Sequence, residues 1–198
     1  MNRRDLPVIL CSAAYMAVFV GISLTRHNYE FILYAGVVVV VAAWILAKQP
    51  KVQFDPVILW GLSLWGLLHM AGGNIRVGPG VLYNVQLVPR VLRYDQLVHA
   101  FGFAAATLAC FHILKDMLKP AIPRRASLMI LVALMGCGLG ALNEILEFLA
   151  VKMMPETNVG GYDNTLWDLI FNLIGASIAA TWAVTRRQSQ IPAASPKN

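Results

Sequence analysis

His99 follows Asp95 by four residues, Glu147 follows Glu144 by three, and Asn172 follows Asp168 by four. Residues three or four apart share one face of an α-helix. Each pair therefore presents two polar groups side by side, with Asp95 and His99 about 6 Å apart along the axis at about 1.5 Å per residue. Asn143 lies one turn behind Glu147, His69 closes a separate apolar stretch, and Tyr94 and Asp163 flank two others. Imidazoles and carboxylates at helical spacing are the raw material of a metal centre in a bundle. Mixed His and Asp/Glu ligation suits Zn, Mn or Fe. The candidate ligands for a divalent metal ion are His69, Asp95, His99, Glu144, Glu147 and Asp168. Glu144 and Glu147 are also the candidate catalytic bases, and Tyr94, Asn143, Asp163 and Asn172 the candidate ligand-binding residues.

The same residues admit two other readings. In a self-satisfied network Asp95 bonds His99, the glutamates pair with Arg76, Arg90 or Arg93, and Asn143 contacts Asn172. In a metal-free site they bind a ligand or a proton. The number of acids counts against the network, because Glu144, Glu147 and Asp168 repel one another unless a cation or protonation intervenes. The sequence has no HExxH or ExxH pair and no Ser–His–Asp or Cys–His pairing. Cys11, Cys110 and Cys137 each lie inside an apolar stretch without CxxC spacing, which makes them packing residues.

The elements that carry these groups are apolar stretches. With 58% hydrophobic and 13% charged residues, the 198-residue chain is not an ordinary soluble domain. Residues 6–24, 29–47, 56–72, 96–118, 126–151 and 166–184 are each close to the roughly 20 apolar residues that a membrane span needs. They predict an all-α, six-helix transmembrane bundle, a single helical membrane domain over residues 1–187, and a flexible cytoplasmic tail over 188–198. Valine runs such as Val37 to Val41 do not alternate as barrel strands do. Ionisable groups at membrane depth are costly and usually line a cavity or meet a partner. Here they cluster at the ends of the third and fifth stretches and the starts of the fourth and sixth. Gly136 with Gly140, Gly102 with Ala106 and Ala176 with Ala180 are small pairs of the kind that let membrane helices pack closely. Residues 73–94, broken by Gly78, Pro79, Gly80 and Pro89, predict an irregular lid between helices three and four. Asn164 or Thr165 is the expected cap of the sixth helix.

The net charge of +6 does not mark a nucleic-acid binder. With both termini cytoplasmic, the inner segments hold 11 of the 16 Lys and Arg, the positive-inside pattern of a multi-pass inner-membrane protein. That places the lid and the polar cluster on the non-cytoplasmic face. The first helix is expected to remain as an uncleaved anchor. His112 is expected at the opposite interface, and His27 in a solvated turn.

These residues resemble the YjdF-like inner-membrane proteins. The matching pieces are His69 to Gly73, Tyr94 to His99 with Gly102, Asn143 to Phe148, and Asp163 to Asp168 with Asn172 and Gly175; together they cover roughly residues 60–180. The resemblance implies a multi-spanning membrane protein and carries no particular reaction. A looser similarity is to VanZ-like proteins, which confer glycopeptide tolerance in some bacteria. Asp95, His99, Glu144 or Glu147, Asp168, Asn172 and Gly175 fit their order, although Phe148 follows Glu147 where those proteins carry glutamine. This resemblance implies a shared polar site.

Three function classes follow. The leading one is a site for a lipid headgroup or small ligand, metal-assisted, with hydrolytic or transfer chemistry. The second is a proton-coupled small-solute transporter, which calls for polar groups continuing to the cytoplasmic side. The third is a non-catalytic subunit or assembly factor, partnered within a membrane complex or as a homo-oligomer.

Overall fold

The structure is a computed structural model that describes residues 3–118 and 124–189. Its helices are α1 (Leu6–Thr25), α2 (Tyr29–Val52), α3 (Pro56–Asn74), α4 (Tyr94–Lys115), α5 (Arg125–Met153) and α6 (Tyr162–Ser189). All six are long and apolar enough to cross a membrane. Their ends follow local chemistry. Asn28 caps α2 by accepting from Phe31 N at 3.3 Å, and Asp55 caps α3 by accepting from Val57 N at 3.0 Å. The Gln96 side chain reaches back to Arg93 N at 2.8 Å and closes the start of α4.

Several boundaries differ from the sequence expectation, and α2 runs five residues past its apolar stretch, through Val52. Helix α6 starts four residues before the apolar run, so Asn164 lies in its first turn and is not a cap. Hydropathy marks only the apolar part of a helix, and a polar first turn falls outside it. At the other end α6 continues through Ser189, into what was expected as tail; residues 190–198 lie outside the described residues, as do Lys119 and Lys197 of the charge pattern.

Alternation of the six helices brings three connections to one end, and two connections to the other. At one end, Arg26 donates to Asn74 O at 2.6 Å, and Glu30 accepts from Asn158 N and Nδ2 at 2.7 and 3.0 Å. These bonds tie the α1–α2 turn to α3 and the α5–α6 loop to α2. At the opposite end Gln49 donates to Asp5 at 3.1 Å, and His112 Nε2 lies 3.2 Å from Val52 O. His112 is therefore buried, against Phe54, rather than interfacial. His27 is exposed, as expected.

Helix α4 sits centrally, with its largest interface against α6 and further ones with α3 and α5. Val132, Ala180 and Val184 pack with Phe111 and Leu128 in one core; Phe31, Met70 and Ala150 form another. Val39, Val40 and Trp44 on α2, and Ile130, Leu131 and Leu134 on α5, are exposed apolar residues that lipid would cover. Gly136 faces Thr107 and Ala176, and Gly140 faces Asn172, so these glycines set close α4–α5–α6 approach, whereas Gly102 faces Trp65 of α3.

The tightest approach is between α6 and α4, where a Cβ on Gly175 would collide with the Ala100 carbonyl oxygen. Backbone cannot give way as a flexible side chain can. Gly175→Val is expected to destabilise the bundle by about 1–3 kcal/mol, the usual cost of overpacking, or more. Thermal unfolding in detergent measures it, and an unchanged midpoint would contradict the close contact.

Candidate functional site

Four helices supply the site. At 1.5 Å per residue, His99 lies roughly 8 Å inside the start of α4, and Asn172 and Glu144 roughly 15 Å inside the same end of α6 and α5. His99 is the hub. Its Nδ1 is 3.0 Å from Asn172 Oδ1 and 3.7 Å from Glu144 Oε1, and its Nε2 is 3.6 Å from Asp95 Oδ1. Asp168 is buried completely and Glu144 to 8% exposure. Two groups of potential ligand atoms, Asp95–His99–Asp168 and His99–Glu144–Glu147, share this imidazole, and within each group the atoms lie within 4.8 Å of one another.

The network is conspicuously incomplete. Both Glu144 oxygens, Asp168 Oδ1 and Asn172 Nδ2 are buried without a hydrogen-bond partner. Most buried polar atoms are paired, and an orphan costs about 1–3 kcal/mol, more when charged. Neither glutamate pairs with an arginine among the described residues. Arg93 instead donates to Asn164 Oδ1 at 3.0 Å, and Arg76 and Arg90 are exposed. Nor does Asn143 meet Asn172: it donates to Glu147 Oε1 at 2.7 Å, one turn along α5. Of the self-satisfied network expected as an alternative, the Asp95–His99 contact is present at 3.6 Å, while the glutamate–arginine pairs and the Asn143–Asn172 contact are not seen among the described residues. Two charged carboxylates within 4.8 Å of each other repel by about 3 kcal/mol or more at an effective dielectric of about 20. The single Asn143 bond is too weak to offset that.

A divalent ion would answer both the repulsion and the orphaned atoms. Zn–N and Zn–O bonds are about 2.0–2.2 Å, so two ligands of one ion lie no more than about 4.4 Å apart. Small side-chain rotations would close the present spacing. Thiolates are too far to contribute: Cys137 is about 10 Å along α5 from Glu144, and Cys110 about 16 Å along α4 from His99.

One residue of the cluster is read in the sequence only as a helix cap. Asn164 Nδ2 donates to Asp168 Oδ2 at 2.5 Å and lies 3.3 Å from Asp95 Oδ2, which links α6 to α4. Its position four residues before Asp168 continues the Asp168–Asn172 stripe, so the same spacing could have found it. Of the other candidates, Asp163 is exposed and outside these contacts. Tyr94 is buried and donates to Leu68 O at 3.0 Å.

His69 stands under the lid. The segment between α3 and α4 forms two small antiparallel pairs, β1 (Arg76–Val77) with β2 (Gly80–Val81) and β3 (Gln86–Val88) with β4 (Leu92–Arg93). Between the pairs, a single 3₁₀ turn at Leu82–Asn84 carries Tyr83 over His69, with the hydroxyl 2.5 Å from Nδ1. A Cβ on Gly72 would lie 2.7 Å from the Tyr83 ring, so glycine makes the room. Burial, with the Asp95 and Glu147 carboxylates near it, pushes the Tyr83 phenol well above its ordinary value. The hydroxyl stays protonated and can donate to Nδ1.

Fold and site together define a multi-pass membrane protein with a buried His/Asp/Glu cluster at one end of a six-helix bundle. Residues 7–189 match the family described as "Predicted membrane protein (DUF2238)", and the chain belongs to that family, the YjdF-like one. It is also 32% identical over 89 residues to a Thermotoga maritima protein described as an uncharacterized protein, a match spanning 43% of this chain and 45% of that one. No solved structure matches the chain.

Proposed function

We propose that the cluster is a divalent-metal site, at the non-cytoplasmic face of a bacterial inner membrane, that binds a polar headgroup or small ligand and supports hydrolysis or group transfer. The observation that carries this is Glu144: 8% exposed, with both oxygens unpartnered, 3.7 Å from His99 and grouped with Glu147. A carboxylate desolvated in that way needs a cation or a ligand donor. Asp95, His99, Glu144, Glu147 and Asp168 are the ligand set, and His69 supports them from beneath the lid. The end-to-end charge difference in the sequence supports the orientation.

A divalent ion supplies Lewis acidity at a phosphoryl or carbonyl oxygen and acidifies a bound water. The chain's own part is positioning. Asn172 holds the His99 ring by Nδ1, Asn143 steadies Glu147, and Asn164 holds Asp168 beside Asp95. Glu147, half-buried at the edge of the group, is placed to take a proton from water. The transporter reading has less support: His112 lies about 20 Å along α4 from His99, with buried Phe103, Ala106 and Phe111 between. A subunit or assembly role remains a weaker proposal without an observation of its own.

Elemental analysis of detergent-purified protein, after growth with Zn, Mn and Fe, tests the proposal. A stoichiometric divalent metal in the wild type, lost in His99→Ala, is the expected result. Metal-free wild type that also takes up none on titration would refute it.

A further inference from the structure

A cavity of about 420 Å³ opens beside the cluster, between α1, α2, α3 and the middle of α5. We infer that it holds a single hydrocarbon chain of a membrane amphiphile whose polar end lies at the His/Asp/Glu cluster; this rests on the function proposed above and makes the substrate class a lipid. Its volume lies within the range of small-molecule sites, about 300–1,000 Å³. Its shape is long. The lining runs from Leu59 to His69 on α3 and from Tyr34 to Leu46 on α2, each roughly 15–18 Å at 1.5 Å per residue.

The walls are apolar, with Val8, Met16, Val38, Ala42 and Leu62 among them. The hydroxyls of Ser12, Ser63 and Tyr15 bond to one another or to backbone, and that of Tyr34, nearer the cluster, is buried without a partner. Ser12 Oγ meets Ser63 Oγ at 2.7 Å, and Tyr15 donates to Ser63 O at 2.9 Å. Apart from the Tyr34 hydroxyl towards the cluster end, a polar solute would find few free donors or acceptors along such a slot. Asp5, at the far end, accepts from Gln49 through Oδ2, and its Oδ1 lies 3.5 Å from the Arg4 guanidinium. At the near end the lining changes to His69 and Asn143, and Asn143 donates to Glu147 of the cluster. The slot is thus continuous with the polar site, and Val39 and Val41, both exposed, border it on the side that lipid would cover.

A chain entering from the bilayer exchanges one hydrocarbon surrounding for another. The hydrophobic effect, about 0.8 kcal/mol per CH₂ buried from water, therefore contributes little here. Selection falls to the polar end, where the cluster lies, and the slot fixes where the head sits. This division of labour suits a lipid with one chain aligned beneath a headgroup.

The test uses the full chain in phosphatidylcholine nanodiscs and a hexadecyl phosphate carrying a diazirine at the terminal carbon. Photolabelling is expected at Val8 and at residues 41–45, about tenfold above the exposed α5 face at Ile130 and Leu131, a preference of about 1.4 kcal/mol. Unlabelled hexadecyl phosphate should suppress it and inorganic phosphate alone should not. Ala42→Trp, which fills the slot from an exposed position on α2, should return labelling to the α5 level while leaving metal content unchanged. Ala13→Trp repeats the block from α1, and the metal content reports that each variant is folded. Equal labelling of α2 and α5, unchanged by either tryptophan, would mean annular lipid only and overturn the inference. So would full displacement by inorganic phosphate. Slot labelling in protein that binds no metal would overturn the metal reading and leave the lipid slot standing; bound metal with scattered labelling would do the reverse.

Discussion

Exchange of Glu144 for glutamine is expected to lower divalent-metal affinity by about 100-fold or more. Loss of a supporting residue around a metal typically costs about 10–100-fold, and a direct ligand costs at least that. Glutamine keeps the shape and the neutral oxygen, so the change isolates charge. Glu144 is suited to that test because both its oxygens are buried and free of hydrogen bonds. No hydrogen bond in the protein is lost with the carboxylate, only the charge facing His99 at 3.7 Å. Competition against a chromophoric chelator, at fixed pH, measures the affinity. Equal affinity in wild type and Glu144→Gln would remove Glu144 from the ligand set.

The second expectation is a change of sign at Asp168. In metal-free protein Asp168→Asn should raise the unfolding midpoint, because it removes one of two acids lying within 4.8 Å of each other. The repulsion relieved is about 3 kcal/mol at an effective dielectric near 20, and the observed gain should be smaller after relaxation. The remaining Asn oxygen can still accept from Asn164, so the 2.5 Å bond is kept. With metal at 100 times its dissociation constant the wild type gains about 2.7 kcal/mol, and the variant should gain far less. The two curves therefore cross. A network satisfied by its own hydrogen bonds predicts the opposite: destabilisation by Asp168→Asn with and without metal.

The helices were legible because six apolar runs of spanning length leave few alternatives. The near ends of α4 and α5 were legible for a different reason: Asp95 with His99, and Glu144 with Glu147, are bound to one face by helical period alone. What period cannot supply is the rotation of one helix against another. That rotation decides that Asn172 meets His99 and not Asn143, and that Arg93 serves Asn164 and not a glutamate. Asn164 reads as a cap rather than a member of the cluster because a polar first turn reads as loop when hydropathy draws the boundary. His112 was misplaced for a related reason. Its burial comes from Phe54 and the Val52 carbonyl, which lie in a distant part of the chain. The lipid slot leaves no local signature either, since it is a gap between helices and each wall reads as ordinary membrane span.

Anomalous X-ray diffraction at the metal edge, on crystals grown with Zn or Mn, addresses the site itself. The expected result is one strong peak among His99, Glu144 and Asp168, with nitrogen and oxygen ligands drawn in to about 2.0–2.2 Å. A map without a peak there, or one with the ion elsewhere while Glu144 stays unpartnered, would contradict a metal centre in this bundle.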